Sequence, residues 1–224
     1  MFRLSDLFRR REDPLNAIAF DTAGWVEQPR RPRQRAWHNL RGDGLGLFYF
    51  PIVPDIPASL HALDQLREAY RSLVGGGLIQ LDVVRIADVS AIKLILKAAQ
   101  QPHGMTYVGS WNLLWRDFSY VLKIQCREDG TTGLREAVIL DEEFAAGRVR
   151  LDEQGRLQGW EEDPYDPALS GGLIRNRGED ERYDARFPDH PLTRLRGYLG
   201  QAEPTIVVSA AVQKAPPYAS PSIY

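Results

Sequence analysis

The chain has 224 residues, of which 43% are hydrophobic and 26% charged, with 28 basic and 30 acidic side chains for a net charge of −2. That balance supplies no global field for steering onto nucleic acid or an anionic membrane, and the composition is that of a packed globular domain rather than a disordered chain. The single cysteine, Cys126, excludes an internal disulfide framework, and no Cys/His spacing matches a structural zinc site.

Residues 1–41 read as a basic N-terminal arm, loaded with Arg3, Arg9, Arg10, Arg11, Arg30, Arg31, Arg33, Arg35 and Arg41. Within it, Phe2, Leu4, Leu7 and Phe8 can form one face of a short helix, which docks on its own domain, on a partner, or on a membrane surface through residues 2–11. Acids interrupt the arginines, which argues against a nucleic-acid arm. Asp6, Glu12 and Asp13 do not suit a secretory or transit peptide, and no run approaches the roughly 18 apolar residues a membrane span needs. The cytoplasm is the expected location.

Residues 42–143 read as the core domain, of α+β class. Gly46 to Phe50 is a strand stopped at Pro51, and Ser59 is placed to cap a helix. Leu60, Leu63, Leu66, Tyr70 and Leu73 recur at helical spacing until the glycines at 75–77. "LIQLDVVRI", "AIKLILKA", "MTYVGSWNLLW" and "FSYVLKIQC" alternate as strands, and "LREAVIL" reads as a fifth. The short connections make them an antiparallel meander, packed against the amphipathic helix.

Residues 144–190 are rich in Asp, Glu, Arg, Gly and Pro, with isolated aromatics and no periodic stripe, and read as an extended acidic arm packed on the core through those rings. Residues 191–224 supply a short helix with Leu192, Leu195 and Leu199 on one face, a strand in "PTIVVSAAV", and a frayed tail.

Strand, proline-bearing loop, amphipathic helix and long antiparallel meander over roughly residues 44–140, carried by "GLGLFYFPIVPDIPASLHALDQLREAY", "GMTYVGSW" and "FSYVLKIQC…TTGLREAVI", resemble the PsbP/Mog-like fold. The resemblance implies binding of another protein rather than catalysis, and it transfers no site residue.

The chemistry-bearing motifs are few. There is no Gly-x-Ser-x-Gly, no P-loop and no Gly-x-Gly-x-x-Gly opening a helix, so no cofactor is expected. His38, His61, His103 and His190 are scattered, and no metal site is read from their spacing. Cys126 falls on the core-facing side of its strand, as a buried thiol. "GTTGLREA" reads as a tight turn before a buried Arg135–Glu136 pair, with Arg135 paired across the sheet, and a small anion site at the turn is the alternative.

The carboxylates Glu161, Glu162, Asp163, Asp166, Glu179, Asp180, Glu181 and Asp184 form a solvated acidic face, an electrostatic partner surface, or metal or catalytic ligands. The candidate binding residues are Trp160, Asp163, Tyr165, Asp166, Tyr183 and Arg186. No catalytic residue is assigned, and the expected role is that of a non-enzymatic protein-binding or adaptor protein, with a protein partner or a second copy on the sheet face and arm. The alternative is a hydrolase or other enzyme using acidic residues and His190 in a pocket under the arm. Against it, Pro191 suits the first turn of a helix, which makes Asp189 or His190 a cap.

Overall fold

The computed structural model describes residues 13–75, 77–169 and 171–219. Its elements, in chain order, are β1 (Ile18–Ala19), β2 (Val26–Glu27), β3 (Gln34–His38), β4 (Gly44–Phe50), α1 (Leu63–Leu73), β5 (Leu78–Ile86), β6 (Val89–Ala99), β7 (Met105–Leu114), β8 (Ser119–Arg127), α2 (Leu134–Ala145), β9 (Arg150–Leu151), β10 (Leu157–Gln158), α3 (Pro191–Ala202), β11 (Val207–Val208) and α4 (Ala210–Gln213). The fold is α+β, built on a seven-stranded antiparallel sheet in the order β2-β3-β4-β8-β7-β6-β5.

The alternating runs become β5 to β8, each paired with the next. Two-residue turns suffice between antiparallel neighbours: Ala87 and Asp88 both adopt positive φ between β5 and β6, and Trp115 N donates to Phe118 O at 3.0 Å before β8. Alternation then sorts side chains between the two faces. Tyr107, Trp111, Leu113, Tyr120, Leu122, Ile124 and Cys126 share the larger core cluster with Leu192, Leu195 and Leu199 of α3. Leu78, Leu81, Ile92, Leu94 and Leu114 pack with Leu66 of α1 on the other side. Gly109 lets α3 lie close on β7, since a Cβ there would meet Leu199 Cδ1 at 2.7 Å.

The expected fifth strand is a helix. "LREAVIL" opens α2, and its buried side chains Arg135, Ile139 and Glu143 recur every fourth residue. The run "AVIL" is too short for periodicity to separate strand from helix. Pairing decides it: β8 already has β7 on one side and β4 on the other, so the sheet offers no place beside it.

Residues 13–41, from the stretch expected to form a basic arm, supply β2 and β3 to the sheet and Leu15, Ile18 and Trp37 to the core. The apolar turn at Phe2 to Phe8 lies outside the described residues. "PTIVVSAAV" gives only the two-residue β11, paired with β1, before α4. From the stretch expected to fray, residues 216–218 return to the sheet: Arg116 N donates to Pro216 O at 3.0 Å, and Tyr218 packs beside the α1 cluster. No helix among the described residues is long and apolar enough to cross a membrane.

Charge rather than aromatic burial ties residues 144–190 to the domain. Trp160, Tyr165, Tyr183 and Phe187 are only half-buried and Phe144 is exposed. In contrast, Lys97 Nζ donates to Glu179 Oε2 at 2.7 Å with both side chains buried, and Arg71 donates to both oxygens of the buried Asp163 at 3.0 and 3.1 Å. Arg135, wholly buried, donates to Gly178 O, Asp180 O, Asp184 Oδ1 and Thr193 Oγ1.

Candidate functional site

α3 begins where the sequence places a cap. His190 has extended backbone (φ −63°, ψ 137°), Pro191 fills the first turn, and His190 Nδ1 accepts from Leu192 N at 3.3 Å. This satisfies one of the donors a helix start leaves open. It also sets the imidazole: with Nδ1 an acceptor, the neutral ring carries its proton on Nε2.

Nε2 points at two glutamates from other elements. Glu128 follows β8 and is pinned by the backbone, its Oε1 accepting from Gly133 N at 2.9 Å and its Oε2 from Met105 N at 2.7 Å. Glu136 stands in the first turn of α2, 3.4 Å from His190 Nε2, while Glu128 Oε1 is 4.0 Å from the same atom. The side chains of His190 and Glu128 are each 7% exposed. Both carboxylate oxygens of Glu136 and His190 Nε2 are buried and make no hydrogen bond. For Glu136, burial favours the neutral acid, but the nearby His190, its own backbone N–H and Arg135 outweigh it and hold the carboxyl below its usual range.

The cluster lies between two cavities. The larger, of about 600 Å³, runs between the β8–α2 loop with Leu134 and the segment Arg186–Arg194, with His190 and Glu128 in its wall and Leu40 and Arg41 from the β3–β4 turn opposite. The smaller, of about 220 Å³, is bounded by Glu128, Glu136, Lys97, Tyr107 and Glu179. Tyr107 OH donates to Glu179 Oε1 at 2.9 Å, and burial followed by the Glu179 charge pushes that phenol well above its usual range. Buried Asp43 holds Arg194 in the wall of the larger cavity by two hydrogen bonds, at 2.8 and 3.1 Å.

The candidate residues expected from sequence do not converge. Asp163 and Tyr165 sit on the α1–β5 side, Asp163 bound to Arg71 and the Tyr165 hydroxyl accepting from Leu81 N at 2.7 Å with the Arg67 guanidinium 3.7 Å above its ring. Asp166 is beside them, its amide donating to Asp163 Oδ1. Trp160 packs near Gly178, and Tyr183 OH donates to Glu143 Oε1 at 2.8 Å. Only Arg186 reaches the larger cavity, where it is paired with Glu142. Of the clustered carboxylates, Asp163 and Glu179 are buried partners of cations, not solvated charges. Glu128 and Glu136 escaped the reading because neither has a spaced partner in sequence: they meet His190 only through the packing of α3 on the sheet.

The thiol of Cys126 is buried, and that burial, with the Asp43 charge secondary, pushes its pKa well up. It offers no nucleophile to either cavity.

The chain matches no protein-family model and no curated protein. Among solved structures it is similar to a protein of Bacteroides thetaiotaomicron VPI-5482 (10% identity, TM-score 0.34), with the match covering 53% of this chain and 41% of that one. It is also similar to human StAR-related lipid transfer protein 5 (10% identity, TM-score 0.26, 56% of this chain and 81% of that one). A third is the human StarD13 (DLC2) lipid transfer and protein localization domain (14% identity, TM-score 0.22, 55% and 81%). Likenesses this distant assign neither a family nor a ligand. The PsbP/Mog-like resemblance does not hold: none of these matches points to that fold, and "TTGLREAVI", which helped to carry it, leads into a helix.

Proposed function

We propose that the protein is a non-enzymatic binding protein whose partner, another protein, inserts a segment into the larger cavity. The observation that carries this reading is the rim. Leu40 is fully exposed and Leu134 is 56% exposed, and both line an opening of about 600 Å³ together with half-buried Phe187. Exposed apolar side chains gathered around one concavity favour an interaction site, whereas singly scattered ones carry no such signal. The charges around them are already neutralised in exposed pairs, Arg41 with Asp189 and Arg186 with Glu142. Such pairs are weak and exchange readily for a partner's groups. The reading moves the surface away from Trp160, Tyr165 and the acidic arm, and the single buried thiol fits a cytoplasmic setting.

The enzymatic alternative, a hydrolase working through His190, meets a specific obstacle. A general base needs a lone pair on the nitrogen facing the cavity, and placing one on His190 Nε2 would open the cap at Leu192 N. The test is affinity capture with the full chain from its native host, read by mass spectrometry against the L40D/L134D variant. A partner held by the wild type and lost in the variant, with melting unchanged, is the expected result. Equal capture by both, or hydrolysis of a substrate panel abolished by His190→Ala at unchanged melting temperature, would overturn it.

A further inference from the structure

We infer that Glu128, Glu136 and His190 form a binding site for one divalent transition-metal ion, at the boundary of the two cavities. This goes beyond partner binding and does not depend on it. The donor atoms, one from each side chain, all lie within 4.8 Å of one another. Four-coordinate zinc with bonds of about 2.0–2.2 Å spaces its donors roughly 3.3 Å apart. His190 Nε2 and Glu136 Oε1 are already at 3.4 Å, and Glu128 Oε1 needs to approach from 4.0 Å.

Three observations beyond the clustering point to a cation. His190 is more than nine-tenths buried and its Nε2 has no hydrogen bond, although it faces the two carboxylates. Both oxygens of Glu136 are buried and make no hydrogen bond, and one of them stands 3.4 Å from His190 Nε2, a separation that leaves room for a cation to bridge the two. Glu128 is held in place by two backbone N–H groups, so one ligand is pre-positioned, and the gap that remains is the 4.0 Å between its Oε1 and His190 Nε2. Two carboxylates and one imidazole select zinc or manganese over calcium or magnesium, which take oxygen donors in larger number. His190 and Glu128 line the larger cavity and Glu128 and Glu136 the smaller one, so both cavities border the site.

Coordination has a structural consequence. Nε2 must lose its proton to bind the metal, and the neutral ring then carries a proton on Nδ1, where Leu192 N–H now points. The proton count of the imidazole is unchanged, but the cap opens. Metal binding and the cap of α3 therefore compete.

The test is titration of the chelator-treated full chain with zinc chloride, manganese chloride, calcium chloride and magnesium chloride, by calorimetry and thermal melting, with Glu136→Gln and His190→Asn. Asparagine caps a helix as well as any residue, so His190→Asn removes the ligand while keeping the cap. The expected result is one zinc per chain, a melting temperature that rises with zinc, and affinity lowered at least about 100-fold in either variant, since even groups behind a ligand are worth 10–100-fold. The Leu192 amide should exchange faster with zinc bound. Absence of stoichiometric zinc or manganese binding, a preference for calcium or magnesium, or binding unchanged in Glu136→Gln would each overturn the site. None of these readouts involves a protein partner, so they stand or fall apart from the capture experiment.

Discussion

Replacing Arg135 by Met should loosen the whole segment from Asn176 to Arg186. The guanidinium is wholly buried and spends its donors on Gly178 O (2.5 Å), Asp180 O (2.8 Å), Asp184 Oδ1 (2.8 Å) and Thr193 Oγ1 (2.9 Å). Methionine fills most of the volume and makes none of these bonds. Asp184 keeps Arg196, at 2.9 and 3.1 Å, so its charge is not abandoned. Gly178 O is left without a donor, at about 1–3 kcal/mol, whereas Asp180 O keeps Tyr183 N at 3.2 Å. The lost hydrogen bond to the Asp184 carboxylate adds about 1.5–3 kcal/mol, for a total of about 2.5–6 kcal/mol. For a chain of this size each kcal/mol moves the melting temperature by about 2–4 °C, so a fall of about 5–24 °C is expected by circular dichroism. Arg135→Lys keeps the charge without the fork and should fall between the two. Amide exchange should quicken over 176–186 more than in β6 or β7. A cost below about 1 kcal/mol for Arg135→Met would refute the reasoning, because it would mean that the segment is held by its half-buried rings.

Two further outcomes follow from the packing and the charges. Gly109→Ala places a methyl against Leu199 and Leu195, both buried under α3. Overpacking of this kind costs about 1–3 kcal/mol, measurable by urea unfolding, and a neutral result would show that α3 shifts freely on the sheet. Glu143 is held at about 2, first by its hydrogen bonds from Arg148, with burial opposing and the Tyr183 hydroxyl assisting. A carboxyl depressed in the folded state contributes stability that is fully present above its unfolded value, about 4.3, and is lost as the pH falls toward 2. Melting temperatures of the wild type should therefore decline across that window more steeply than those of Glu143→Gln. Parallel curves would assign the acid sensitivity to other carboxylates.

The sheet was legible because its signal is local. Alternation in β5 to β8 sets which side chain faces which layer, and tight turns leave antiparallel pairing as the only outcome. Two misreadings have the same origin, namely that partners distant in sequence decide. β3 ends where the Asn39–Gly42 turn begins, and with Arg30, Arg31 and Arg33 just before it the stretch resembled a solvated arm until β4 supplied its pairing. "LREAVIL" had the residue types of a strand, but the only neighbour it could have paired with was already occupied by β4. The aromatic anchors of residues 144–190 proved secondary for a related reason. The acids read as a solvated face include Asp163 and Glu179, whose cations stand on α1 and β6, some 80–90 positions away.

The candidate site shows where a local reading is correct and still incomplete. Asp-His-Pro correctly marks a helix start, and His190 caps α3 through Nδ1. A cap uses one ring nitrogen. Whether the other meets solvent or function depends on what α3 is packed against, and here α3 lies across β7 and β8 with Leu195 and Leu199 over Gly109. That placement brings the end of β8 and the first turn of α2 to Nε2, so one histidine serves the helix on one side and faces two carboxylates on the other. The cap fixes the orientation that brings the cluster together, and a metal taken up on Nε2 would open that same cap. His190→Asn separates them, because it preserves the first while deleting the second.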